Sequence, residues 1–294
     1  MKWGRAAVIA IPTTWLVLFF LIPFVVVFQI SFSEPALTQP PYTPLLEWDA
    51  ENSTANFAIH FSNYRFLLED SLYWDAYLSS LKIATISTLV ILIVAYPIAY
   101  LIARSRRYRL VLLALVILPF WSSFLLRVYA WMGFLGKNGV INNFLMSIGI
   151  IDQPLTLLNT DFAVYIGIVY TYLPFMILPL YATLEKLDEN LLEASADLGS
   201  RPYQTFWHVI FPLSLPGIIA GSLLVFIPVM GEFVIPELLG SANTLMIGRV
   251  LWDEFFLNRD WPMASAVAIV MLAVLVLPIM LFRRTQGDAK RGGA

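Results

Sequence analysis

Residues 185–212 read EKLDENLLEASADLGSRPYQTFWHVIFP, and two long apolar runs flank them. Asp188 is placed to cap a helix in which Leu191, Ala194/Ser195 and Leu198 recur at helical spacing. Gly199 stands where a left-handed residue ends such a helix, and Pro202 where the first turn of the next begins. Tyr203, Phe206, Trp207 and Ile210 then make an apolar stripe at i, i+3, i+4 and i+7, and Pro212 is expected to end the second helix. The segment 185–211 thus reads as two short amphipathic helices joined by a sharp turn. A mere connection between spans can be a few residues long, so a hairpin of this build predicts a surface made to dock onto a partner.

The flanks are membrane spans. Of 294 residues, 59% are hydrophobic and 13% charged, with mean hydropathy +0.76; a soluble domain carries about 25% charged residues. Runs long enough for a helix to cross the hydrocarbon lie at 6–30, 78–102, 110–135, 162–184, 213–235 and 264–282. Pro23, Pro97, Pro119, Pro174, Pro179 and Pro228 fall inside them, a placement that membrane helices tolerate and that predicts kinks. The first run follows the basic Met1–Arg5 and is too long for a signal-peptide core, so it is expected to be a retained helix.

Lys and Arg set the orientation. With both termini inside, 12 of the 18 basic residues are cytoplasmic, including those in the Arg104–Arg109 turn and after Phe282. The expected layout is a first span (1–30), an extracytoplasmic segment (31–77), five further spans (78–282) carrying the loop 185–211, and a cytoplasmic tail (283–294). The 31–77 segment is acidic, opens on Pro35, Pro40, Pro41 and Pro44 as extended chain, and is expected to close on a short interfacial helix over 61–77. Asn52-Ser53-Thr54 fits the glycosylation acceptor pattern. Asp253, Glu254 and Asp260 read as a solvated external face where a binding protein could dock.

Several chemistries are excluded. There is no cysteine, so thiol chemistry and disulfides are absent. His60 and His208 are too few and too far apart in sequence for a metal cluster. No Gly-x-x-x-x-Gly-Lys-Ser/Thr loop occurs, so the chain has no phosphate-binding loop of its own. An intramembrane enzyme lacks the His or Cys its spans would need. A secondary transporter lacks a matching pair of broken acidic helices, and a channel lacks a filter.

Glu193-Ala194-Ser195-x3-Gly199 followed by Val209-x-Phe211-Pro212 resembles the EAA loop of bacterial ABC-importer permeases, EAA-x3-G-x9-I-x-L-P, with Ser195, Val209 and Phe211 as the departures. Asn63-Tyr64-x-Phe66-Leu67, Tyr96-Pro97-Ile98-Ala99-Tyr100, Pro119-Phe120-Trp121-x-Ser123, Arg127-x-Tyr129-Ala130-Trp131 and Gly231-Glu232-Phe233-x-x-Pro236-Glu237-Leu238-Leu239-Gly240 are similar to the putrescine/spermidine permeases, most of all to the putrescine-type subunit. Permeases for ferric ion and thiosulfate share parts of these stretches. The resemblance implies an all-α, six-helix, MetI-like type I importer fold in a bacterial cytoplasmic membrane. It implies a second permease, two ATPase subunits that bind the ATP and Mg, and a soluble extracytoplasmic polyamine-binding protein as partners, with no nucleic acid. The residues carried over for ATPase coupling are Glu193, Ala194, Ser195, Asp197, Gly199, Phe206, Trp207 and Pro212.

Charge inside a span is costly and marks function. Arg127 is expected ~25 Å and Glu232 ~28 Å above the cytoplasmic starts of spans three and five, at the helical rise. At similar depth they form either a structural ion pair or part of a substrate path. For a polycation that path should offer carboxylates and aromatic faces; Glu232, Trp121, Tyr129, Trp131 and Tyr172 are the candidates. A topology reporter fused after Arg107 or Lys290 should report cytoplasmic and one inserted near Glu51 external. An internal Glu51 site would overturn the six-span layout.

Overall fold

The computed structural model describes residues 2–49, 54–241 and 243–291; Asn52 and Ser53 of the acceptor triplet lie outside them. In chain order come α1 (Lys2–Leu16), a π turn (Val17–Leu21), α2 (Ile22–Ile30), β1 (Leu46–Asp49), β2 (Thr54–Phe57), α3 (Ser62–Glu69) and α4 (Ser71–Arg104). Next are α5 (Arg109–Ile117), a 3-10 turn (Leu118–Trp121), α6 (Phe124–Leu135), α7 (Val140–Ser147) and α8 (Asp161–Leu184). Then follow α9 (Glu189–Asp197), α10 (Pro202–Thr205), a π turn (Phe206–Ile210) and α11 (Phe211–Met230). The chain closes with α12 (Val234–Leu239), α13 (Ile247–Trp252), a π turn (Asp253–Leu257) and α14 (Trp261–Arg291).

Among the described residues four helices are long and apolar enough to cross a bilayer: Val8–Ile30, Ser71–Arg104, Asp161–Leu184 and Pro202–Met230. The pair Arg109–Trp121 and Phe124–Ser147 makes a fifth where the two count as one broken span, and Trp261–Val276, the apolar start of α14, is a shorter apolar helix at the sixth run. The run at 110–135 is therefore not one straight helix but a pair bent by 91°. Pro119 lacks an N–H and crowds the turn before it. The chain tightens to a 3-10 turn and passes through extended Ser122 (ψ 153°) and Ser123 (ψ 140°) before α6 begins. The Ser122 hydroxyl donates to the Pro119 carbonyl at 2.7 Å.

Three further expectations are corrected. Pro212 does not end the second loop helix, because Pro202–Met230 is continuous. The Phe211 N–H reaches back five residues to the Phe206 carbonyl, and this wider π turn accommodates the proline ring that follows. Span five stops at Met230 rather than 235, so Glu232 lies in a non-helical break between α11 and α12. The second span begins at Ser71, and the segment before it is more than extended chain plus a helix. Leu46–Asp49 pairs antiparallel with Thr54–Phe57 in a two-stranded hairpin, and Pro35 bridges back to Tyr42.

The chain divides into two compact units, Met1–Asp75 with Val250–Ala294, and Ala76–Arg249. In the first, α14 packs on α2 and α3. The buried Asn63 amide donates to the Ser31 and Ser33 carbonyls at 3.0 and 2.9 Å, and Tyr64 shares a 2.7 Å hydrogen bond with Ser31, tying α3 to the end of α2. Glu254 accepts from the Tyr73 hydroxyl at 2.8 Å and the Asn258 amide at 2.9 Å. Asp260 caps α14 through the Met263 N–H at 2.8 Å. Burial lifts the Asp260 carboxyl above its ordinary range, the Met263 bond opposes that lift, and Glu254 adds to it. Glu254 and Asp260 are therefore engaged in the fold and are not a simply solvated face.

The second unit is built on the pairing of α8 with α11. Gly217 and Gly221 are one turn apart on α11 and face α8. A Cβ on Gly217 would lie 2.6 Å from Thr183 Oγ1 and 2.9 Å from the Pro179 carbonyl oxygen. One on Gly221 would lie 2.7 Å from Met176 Sδ. At the far end, a Cβ on Gly167 would meet Leu239 Cδ1 at 2.6 Å, so α12 also presses onto α8. Gly217→Val should force these helices apart and cost about 1–3 kcal/mol, read as a lower melting temperature in detergent, whereas Ala220→Val on the exposed face of α11 should not. Equal melting of both variants would refute the close approach.

Candidate functional site

The loop between α8 and α11 carries the first cluster. Asp188 caps α9 by accepting from the Asn190 N–H at 3.0 Å. Gly199 has φ +79°, and its N–H donates to the Ala196 carbonyl at 2.8 Å while Ser200 N–H donates to the Ser195 carbonyl at 3.1 Å. That pair of bonds is the Schellman closure. The buried Ser195 hydroxyl shares a 3.0 Å hydrogen bond with Thr205, so α9 and α10 are fastened side to side. Ser195, the departure from the EAA pattern, is the residue that makes this contact.

The aromatic stripe divides between two faces. Phe206 packs edge-on against Tyr96 at 5.4 Å and Ile210 is buried, anchoring the loop to the helices behind it. Trp207 is 58% and Leu198 87% exposed, and Leu191 and Tyr203 are exposed as well. Glu193, Ala194 and Asp197 face solvent, and Pro212 is exposed within the continuous helix. An acidic helix and a set of open apolar side chains thus form one outward surface with rigid backing.

The second cluster is a cavity of ≈ 800 Å³ beside the middle of α8 and the far end of α11, lined among others by Phe120, Phe124, Arg127, Tyr172, Phe175 and Glu232. Glu232 is 7% exposed. Its Oε1 accepts from the Val234 and Ile235 N–H groups at 3.0 and 3.3 Å, which caps the start of α12. Its Oε2 accepts from the Tyr172 hydroxyl at 2.5 Å. The break that holds it is pinned from behind: a Cβ on Gly248 would lie 2.3 Å from the Gly231 carbonyl oxygen and 2.8 Å from that of Glu232.

Arg127 and Glu232 share this cavity, but among the ion pairs of the described residues none joins them. The Arg127 guanidinium lies over the Phe120 ring at 5.4 Å, and its Nε is buried without a hydrogen-bond partner. Arg127 is carried by α6, beyond the bend at Ser122–Ser123. Trp121 and Tyr129 lie outside the cavity, 85% and 52% exposed. Trp131 lies edge-on to Tyr170 at 5.6 Å and lines a second cavity of ≈ 270 Å³, which Arg127 also lines. Tyr172 and Glu232 are thus brought together with Arg127 in the larger cavity and Trp131 with Arg127 in the smaller, whereas Trp121 and Tyr129 line neither. Phe120, Phe124 and Phe175 are the rings that sequence reasoning missed; the signal for the first two was Pro119 followed by Ser122-Ser123.

The family model described as "binding-protein-dependent transport system inner membrane component" matches residues 95–285. The spermidine/putrescine transport system permease protein PotB of Haemophilus influenzae is 43% identical over 277 residues, 94% of this chain and 92% of that protein. PotB of Escherichia coli K12 is 42% identical over 271 residues, 92% and 93% of the two chains. Among solved structures, a bacterial alginate ABC transporter in complex with an alginate pentasaccharide-bound periplasmic protein superposes with TM-score 0.68 at 18% identity, covering 97% of this chain and 95% of that one. The fold is the MetI-like permease fold, and this chain belongs to the binding-protein-dependent transport inner membrane components: it is a permease subunit of an ABC importer, a transport component and not an enzyme.

Proposed function

We propose that the chain passes a polyamine inward through the cavity at Glu232 and couples that step to a separate ATPase through the α9–α10 surface. The cavity carries the substrate reading. A polyamine alternates ammonium groups with methylene stems, so it needs a carboxylate beside aromatic faces. Glu232 supplies the carboxylate, Tyr172 a phenol, and Phe120, Phe124 and Phe175 the faces. Arg127 already rests a cation on one of those rings. The spermidine/putrescine names of the relatives agree with this chemistry.

The partners follow from the chain's lack of a nucleotide-binding loop. Two ATPase subunits would bind the ATP and Mg, a second permease would complete the pathway, and a soluble binding protein would deliver the polyamine outside. The periplasmic protein bound to the alginate transporter supports that last assignment. The Lys and Arg distribution supports cytoplasmic termini, on the same side as the α9–α10 surface.

Two tests separate the clusters. Glu232→Gln in reconstituted transporter should reduce polyamine uptake about tenfold or more, the worth of a charge-assisted contact, with the complex still assembled. Unchanged uptake removes Glu232 from the path, and failure of both Glu232→Gln and Arg127→Gln to assemble would make the cluster structural. At the coupling surface, Gly199→Val places a β-branched residue in the left-handed region, where strain is about 1–3 kcal/mol, and so re-aims α10. Glu193→Lys reverses a charge on the exposed face. Both should insert normally yet lose the ATPase on purification and most ATP-driven uptake; wild-type retention and uptake in both would sink the coupling assignment.

A further inference from the structure

The turn between α4 and α5 does not stand free of the coupling loop. Arg109 Nη1 meets Glu185 Oε1 at 2.5 Å, Arg106 Nη2 meets Glu189 Oε2 at 2.7 Å, and Arg104 Nη1 meets Glu189 Oε1 at 3.5 Å. Glu185 is the C-cap of α8 and Glu189 the first residue of α9. Arg109, the first residue of α5, also donates through Nη2 to the Ala103 carbonyl at 3.2 Å, near the end of α4. Arg104 lies over the Tyr100 ring at 5.5 Å. Two carboxylates that bracket the start of the coupling helix are therefore gripped by three guanidiniums from the preceding cytoplasmic turn.

Partly exposed ion pairs add little to stability, and a positive turn at this place already has a topological use. Neither accounts for the pairing. A turn that served orientation alone would need no carboxylate partners, and its arginines would be free to spread over the membrane surface. Here each of the three is bonded to the segment that leads into α9. What the contacts supply is position, because they fix the cytoplasmic end of α5 to the coupling loop. The other end of α5 runs through the 3-10 turn to the bend at Ser122–Ser123, beside which Phe120, Phe124 and Arg127 enter the central cavity. One short helix thus joins the coupling loop to the cavity wall.

We infer that the Arg104/Arg106/Arg109–Glu185/Glu189 clasp is a transmission element: its members are positioning residues that pass movement of α9 along α5 to the bend, in parallel with the covalent route through α8 and α11. The inference rests on the assignment of α9–α10 as the ATPase-docking surface. The clasp lies on the opposite side of α9's start from the Ser195–Thr205 fastening, so α9 is held near both ends. Motion imposed on it has to be shared by α5.

The test is a double-mutant cycle in the complete transporter. Arg109→Gln and Glu185→Gln should each lower uptake at least fivefold while the ATPase stays bound and hydrolyses ATP, so that more ATP is consumed per substrate carried. Glu185→Gln leaves the positive turn untouched, which separates coupling from topology. The double variant should be no worse than the poorer single, and the exchanged pair Arg109→Glu/Glu185→Arg should regain at least half of the lost uptake. Multiplying losses in the double variant, no recovery in the exchanged pair, ATPase shed by the single variants, or wild-type uptake in them would each overturn the clasp. Trp207→Ala judges the docking assignment separately: retention of the ATPase there counts against that surface, whereas the clasp is read from the cycle alone.

Discussion

Everything placed at either end of the second unit depends on how closely α8 and α11 approach. In a bilayer no hydrophobic gain drives two apolar helices together, so contact rests on packing, and packing at short range needs small residues. Gly217 and Gly221 provide the gap into which Pro179, Thr183 and Met176 fit. The same two helices carry the loop 185–211 between them at one end, and mid-α8 and the far end of α11 present Tyr172 and the Glu232 break. A separation of even one methylene at the glycines would move both, which is why loop and cavity have to be understood as parts of one packed pair.

Proline explains much of the departure from simple helices. Pro119 converts an expected straight span into a bend, and the π turn at Phe206–Ile210 lets the chain pass Pro212 without stopping. The outcomes differ because the surroundings differ. At Pro119 the chain tightens into a 3-10 turn, closed by the Ser122 N–H and hydroxyl, which both donate to the Pro119 carbonyl. Before Pro212 the turn widens, and Phe206 and Ile210 are held inward by Tyr96 and the neighbouring helices. Local chemistry offers each proline several escapes, and tertiary packing selects one.

That selection marks the boundary of what the sequence alone revealed. The spans were legible because a hydrocarbon layer imposes length and apolarity on every crossing helix. The cap at Asp188 and the left-handed turn at Gly199 were legible because both are local, decided within four or five residues. The bend in span three was not, since a proline inside an apolar run is compatible with a kink, a break or a straight helix. The two-stranded hairpin was hidden because its strands are four residues each and Pro-rich chain precedes them. The clasp was illegible for a different reason: Arg104–Arg109 already had a sufficient explanation in membrane orientation, and its partners lie some 80 residues away.

Of the two alternatives for Arg127 and Glu232, an ion pair or a shared path, no ion pair joins them among the described residues, which is what the proposed use of the cavity requires. Had the guanidinium met the carboxylate, an entering ammonium would have had to displace a bonded cation, and the local charge would have been cancelled in advance. Instead Glu232 is held by neutral donors, the Tyr172 hydroxyl and two backbone N–H groups at the start of α12. These stabilise a negative charge and orient it without neutralising it. Arg127 is kept on the Phe120 face of the same cavity and does not occupy the Glu232 acceptor. A transport site has to bind its cargo and then let it go. In the proposed function a capped carboxylate with a cation held on a neighbouring ring would meet both demands, attracting a polycation by charge yet holding it against a standing repulsion.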